Sequence, residues 1–138
     1  MNRLNGKVAL ITGGGRGMGA VEAELFVRAG AKVVITDVAV AECKAVADAI
    51  GPACTAIAQD VSSEADWARV MSRIESDFGQ LDVLVNNAGI FRVMGLENTS
   101  LEDWNRQVAI NQTGTFLGIR SAVPLMKAKG AGSIINLS

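Results

Sequence analysis

Thr12-Gly13-Gly14-Gly15-Arg16-Gly17-Met18-Gly19 decides the fold of this 138-residue chain, because of what stands on either side of it. Before it runs Lys7–Thr12 (KVALIT), a short apolar stretch ending in the glycine cluster, which reads as a strand buried on both faces. After it, Gly17–Gly30 places Met18, Val21, Leu25 and Ala29 on one helical face and stops at a glycine suited to a C-cap. Glycines in such a turn let backbone N–H groups come close to a phosphate, and the start of the helix adds a favourable dipole. A bare strand–helix turn uses glycine too, and the G-x-G-x-x-A match at Gly15–Ala20 is a weak signal alone. Its context gives it weight: a second strand, Lys32–Asp37 (KVVITD), follows and ends on an acid.

The alternation continues. Ala41–Ile50 is predicted helical, with Cys43, Val46, Ala47 and Ile50 inward, and Gly51-Pro52 breaks it. Cys54–Gln59 is a weaker third strand. Ser63–Phe78 is the clearest helix, with Trp67, Val70, Met71, Ile74 and Phe78 on one face and Ser63 and Asp66 at capping-box spacing. Leu81–Asn86 is the fourth strand. Leu101–Lys129 is a long helical pattern containing Gly114, Gly118 and Pro124, so a bend is expected near the proline. Ser133–Leu137 begins a fifth strand. Strands separated by helices imply right-handed crossovers and a doubly wound parallel α/β sheet of order 3-2-1-4-5, in one domain with no linker.

Composition narrows the function. Formal net charge is -1, with 13 basic and 14 acidic residues interspersed, so no basic stripe suits nucleic acid. Histidine is absent and the two cysteines, Cys43 and Cys54, have no partners at metal-ligand spacing, so no metal site is expected. They read as reduced, partly buried thiols. No apolar run approaches the roughly 18 residues of a membrane span, and no signal peptide is recognised, so a cytoplasmic protein without membrane partners is expected. No G-x-x-x-x-G-K-[ST] run occurs, which disfavours a P-loop nucleotidase.

Asp37 lies 18 residues after Gly19, at the carboxyl end of the second strand. A carboxylate there can accept hydrogen bonds from both hydroxyls of an adenosine ribose. It would also repel a 2′-phosphate, since like charges ~4 Å apart cost about 4 kcal/mol at an effective dielectric near 20. NAD is therefore expected over NADP, with Arg16 the residue that could reverse the preference. The competing reading of Asp37 is a cap on the following helix.

At this point the motifs carry a resemblance. T-G-x-x-x-G-x-G (Thr12, Gly13, Gly17, Gly19), Asp60-Val61 and Asn86-Asn87-Ala88-Gly89 resemble the short-chain dehydrogenase/reductase family. Ile110-Asn111 and Gly132–Ser138 (GSIINLS) continue the match, in order, from Gly6 onward. Within the family it is most similar to bacterial NAD-dependent hydroxysteroid and cyclic-alcohol dehydrogenases. The resemblance implies a Rossmann-like fold, an oxidoreductase acting on a small alcohol or ketone, and a homo-oligomer when complete. It implies that Gly13, Arg16, Gly17, Met18 and Gly19 form the loop on the pyrophosphate and adenosine side, and that Asp37 holds the ribose. Asp60 and Val61 would flank the adenine, and Asn87, Ala88 and Gly89 would run toward the nicotinamide ribose. Asn111 would kink its helix and order a water in a catalytic proton relay. Without the family, Asn111 is a mid-helix Asn bonding nearby backbone, Asn86–Gly89 an Asn/Gly turn, and Asp60 a residue that opens a helix.

The sequence also departs from that pattern. The family's acid–base tyrosine, with a lysine four residues later, has no counterpart, because the chain contains no tyrosine. Ser138 reads as the neighbour of the catalytic serine. The chain is therefore expected to be the amino-terminal, cofactor-binding part of a longer enzyme and inactive alone. The alternatives are a non-catalytic dinucleotide-binding module or sensor, and a structural domain that binds nothing.

Overall fold

Val8–Thr12 (β1) is buried at every position, and the reason is its place at the centre of the sheet. The computed structural model describes residues 3–138. After β1 come α1 (Gly17–Arg28), β2 (Lys32–Asp37), α2 (Val40–Ile50), β3 (Cys54–Ala58), α3 (Glu64–Phe78) and β4 (Val83–Asn86). A short 3-10 turn (Leu96–Asn98) leads to α4 (Leu101–Val108), a π-helical segment (Ala109–Thr113), α5 (Gly114–Lys129) and β5 (Ser133–Asn136). Among the described residues the five strands form one sheet of order β3-β2-β1-β4-β5, all pairs parallel. This is the Rossmann-like arrangement that the strand–helix alternation predicts.

Alternation along each strand divides the core in two. Leu10, Val34 and Leu84 face α3 and α5 and pack with Trp67, Val70, Ile74 and Leu117. Ala9, Ile11, Val33, Ile35 and Val85 face α1 and α2 and pack with Ala23, Cys43 and Ala47. Both sheet faces are covered, which is why the central strands read as continuous apolar runs.

The helices depart from expectation in three places. In α1 the buried residues are Gly19 and Ala23, whereas Met18, Val21 and Leu25 are more than half exposed. The helix lies too close to the sheet for large side chains: a Cβ on Gly19 would sit 2.4 Å from the carbonyl oxygen of Gly13. At the start of α3 only half of a capping box forms. Ser63 Oγ accepts from the Asp66 N–H at 3.2 Å, but the Asp66 carboxylate reaches back to the Asp60 N–H at 2.8 Å. That bond and Arg69 hold the Asp66 carboxyl below the usual carboxylate range. The long helical pattern is interrupted at Ala109–Thr113, while α5 continues through Pro124. The extra residue per turn coincides with Asn111, whose side chain bonds outside its own helix.

No described helix is long and apolar enough to cross a membrane.

Candidate functional site: a cleft at the carboxyl ends of the strands

β1 and β4 leave the sheet side by side, and Thr12 ties their two loops together. Its hydroxyl accepts from the N–H of Asn87 at 3.1 Å and of Ala88 at 3.0 Å. Asn87 returns the link, its Nδ2 donating to the carbonyls of Thr12 at 2.9 Å and Gly13 at 3.2 Å. Gly13 has φ +68°, and a Cβ there would lie 2.9 Å from Ala88 Cα, so only glycine fits between the loops. The Asn87 side chain thus holds the glycine loop in place.

Two of the loop's donors are already engaged by β2. Gly14 N–H donates to Thr36 O and Gly15 N–H to Asp37 Oδ2, both at 3.0 Å. The other Asp37 oxygen accepts from Ala39 N–H at 3.1 Å. The Asx-type turn toward α2 and the cleft-facing position therefore coexist, and an ionised carboxylate has about four acceptor sites, so capacity remains. Past the loop, Arg16 is an extended N-cap with no side-chain hydrogen bond to the helix, and α1 has no acid in its first turn. The positive end of its dipole is left without a countercharge from its own turn.

These elements border a cleft of about 370 Å³, within the range of small-molecule sites. Of the expected residues, Gly13, Arg16, Met18, Asp37, Asp60, Val61, Asn87, Ala88 and Gly89 line it. Gly17 and Gly19 do not: Gly17 supplies a φ of +58°, and Gly19 supplies close packing of α1. Asp60 is exposed, and its Oδ1 accepts from the N–H of Ser62 at 2.9 Å and its hydroxyl at 2.6 Å, so it also shapes the turn into α3.

Asn111 lies outside the lining but reaches it through Ile90. Its Oδ1 accepts from Ile90 N–H and its Nδ2 donates to Ile90 O, each at 2.8 Å. The amide clips the π-helical segment to the loop after β4. Sequence reasoning missed Thr36, Val38, Gln59, Ile90 and Ile110, which complete the lining. Thr36 and Gln59 are buried, and among the described residues the Thr36 hydroxyl and both polar atoms of the Gln59 amide have no hydrogen-bond partner.

The lining fits a dinucleotide on physical grounds: a glycine cradle that a Cβ would fill, a helix end without an acid, and buried polar groups awaiting partners.

Comparison with known proteins points the same way. The model of the short chain dehydrogenase family matches residues 7–138. The chain is 47% identical over 136 residues to a 3-alpha-(or 20-beta)-hydroxysteroid dehydrogenase of Mycobacterium tuberculosis, covering 99% of this chain and 52% of that protein. It is 46% identical over 140 residues to a 2,5-dichloro-2,5-cyclohexadiene-1,4-diol dehydrogenase of Sphingobium indicum, covering 99% and 56%. The fold superposes with a TM-score of 0.92 on a 3-ketoacyl-(acyl-carrier-protein) reductase from Brucella melitensis complexed with NADH, at 43% identity. That match covers 96% of this chain and 57% of the other. The chain spans about half the length of the curated relatives it matches. By motif order, sheet topology and the match of nearly its whole length, the chain belongs to the short chain dehydrogenase family.

Proposed function

We propose that these 138 residues are the dinucleotide-binding domain of an NAD-dependent oxidoreductase that interconverts a secondary alcohol and a ketone. Asp37 carries the reading. Its carboxylate is fixed by the amides of Gly15 and Ala39 at the rim of the cleft, with acceptor sites left over for a vicinal diol. Held so, it favours a ribose with free hydroxyls and opposes one bearing a 2′-phosphate.

The other residues follow from their places. Gly13 and the start of α1 would receive the pyrophosphate, Asp60 and Val61 the adenine, and Asn87–Gly89 the nicotinamide ribose. When bound, the cofactor supplies hydride transfer. Asn111 is a positioning residue, holding Ile90, and so the strand of loop beside Gly89, at a fixed depth. The substrate is a small molecule. With no tyrosine in the chain, no phenol is present to take the hydroxyl proton, and these 138 residues alone are expected to show no turnover.

Calorimetric titration with NADH and NADPH tests the reading. NADH should bind tighter, and Asp37→Ala should weaken NADH while narrowing the gap to NADPH. Equal binding of the two before mutation would assign selectivity to Arg16 instead, and absence of binding by either would remove the cofactor reading.

A further inference from the structure

Gln59 follows β3 and continues its pairing, its N–H donating to Asp37 O at 3.0 Å. The residue is 3% exposed and borders the cleft, yet neither Oε1 nor Nε2 of its side chain has a partner among the described residues. Period-two alternation puts it on the same sheet face as Ile57, whose register partner is Thr36. Thr36 is fully buried and its hydroxyl is also without a partner. Unpartnered buried amides are rare, because the group loses its bonds to water and gains nothing in return. A leucine would fill the same volume with no such cost. Three unpartnered polar atoms on one border of the cleft therefore point to a ligand bearing both donors and acceptors.

The border in question lies beside Asp37, Asp60 and Val61, on β2 and the end of β3, two and more strands from β4 and its loop. We propose that Gln59 recognises the adenine ring of the dinucleotide, an inference that rests on the cofactor reading above. Gln59 lines the cleft, and its amide has no protein partner to give up among the described residues. Oε1 then accepts from the exocyclic amine and Nε2 donates to N7, the paired pattern by which a primary amide reads adenine. On that edge hypoxanthine, with a carbonyl in place of the amine, presents two acceptors and leaves Oε1 without a donor.

The test compares equilibrium binding of NAD+ and nicotinamide hypoxanthine dinucleotide to the protein and to Gln59→Leu. The wild type should prefer NAD+ by roughly tenfold, and Gln59→Leu should reduce that preference to about twofold with no loss of thermal stability. Side-chain amide resonances give a readout that needs no variant: the Gln59 NH2 signals should move on saturation with NAD+ and much less with the hypoxanthine analogue. Bound NAD+ with an unchanged base preference in Gln59→Leu, or with unmoved Gln59 amide signals, would overturn the assignment to Gln59 alone. A wild-type protein that binds neither dinucleotide would overturn the cofactor reading itself.

Discussion

Asn111 and Ile90 are joined by a closed pair of hydrogen bonds, amide to backbone amide, each 2.8 Å long. The pairing needs both a donor and an acceptor on one side chain, so asparagine cannot be replaced by aspartate or leucine without breaking half or all of it. It also explains why the helix takes its π turn there and not at Pro124.

Replacing Asn111 by Leu should therefore free the loop after β4 while leaving the sheet intact. Two exposed hydrogen bonds at about 0.5–1.5 kcal/mol each set the expected loss at about 1–3 kcal/mol. Hydrogen exchange at the Ile90 amide should accelerate, with amides of β1 and β2 unchanged. Uniform acceleration across the sheet would mean that Asn111 supports the whole fold and not the loop.

Gly118 gives a case where two effects compete. A helix interior gains about 1 kcal/mol from Gly→Ala on propensity alone. Here the added Cβ would lie 2.5 Å from Asn86 Oδ1 and 2.8 Å from Trp67 Cη2, both on buried side chains. Overpacking of that kind costs roughly 1–3 kcal/mol, so sterics should win. Gly118→Ala is expected to lower stability in urea by about 1 kcal/mol, and a stabilised variant would show that α5 can move outward freely.

Asp82 predicts an acid limit to stability. Burial would raise its pKa, but hydrogen bonds from Lys129 and the Val8 N–H, with the charge of Lys7, outweigh burial and hold it below 3.8. A carboxylate depressed on folding stabilises above its unfolded value, and that contribution fades as pH falls through the folded one. The contribution of Asp82 should thus be full at neutral pH and fade only below about pH 4. Asp82→Asn should cost about 2 kcal/mol at pH 7, less than a fully buried pair because both lysines reach water. Its deficit should shrink at pH 3; a deficit independent of pH would assign the loss to packing.

Burial, with the charge of Asp37 a lesser contribution, pushes the Cys43 thiol up to about 12, and burial pushes Cys54 up to about 11. Both should remain thiols at pH 8 and resist iodoacetamide in the folded protein, then react together once denaturant unfolds it. Fast alkylation of one under native conditions would show that α2, which carries Cys43, parts from β3, which carries Cys54.

The parts of the fold legible in the sequence are those set by local rules. The strands are short apolar runs with turn residues between them, and Gly13, Asp37 and Asn87–Gly89 sit where a parallel sheet delivers its strand ends. Unread were features set by distance between elements. Hydrophobic periodicity offered Met18, Val21 and Leu25 as the inner face of α1, but the approach of Gly19 to Gly13 admits only small residues. Thr36 and Gln59 belong to no motif in the sequence, and only burial without partners marks them. Thr12, likewise, declares its role through bonds to residues some 75 positions away.

The two halves of the core also differ in when they can be made. The layer under α1 and α2 draws on residues up to Ala56, with Val83 and Val85 the later additions. The opposite layer cannot close until Trp67, Leu117 and Met126 have met Leu10 and Val34. Loop closure grows costlier with separation, by about 0.6 kcal/mol for each doubling, and helices that pack on near neighbours assemble sooner. A nascent chain can thus assemble most of one side of its sheet before the other can close, and apolar surface on that second face stays open to aggregation until α5 is made.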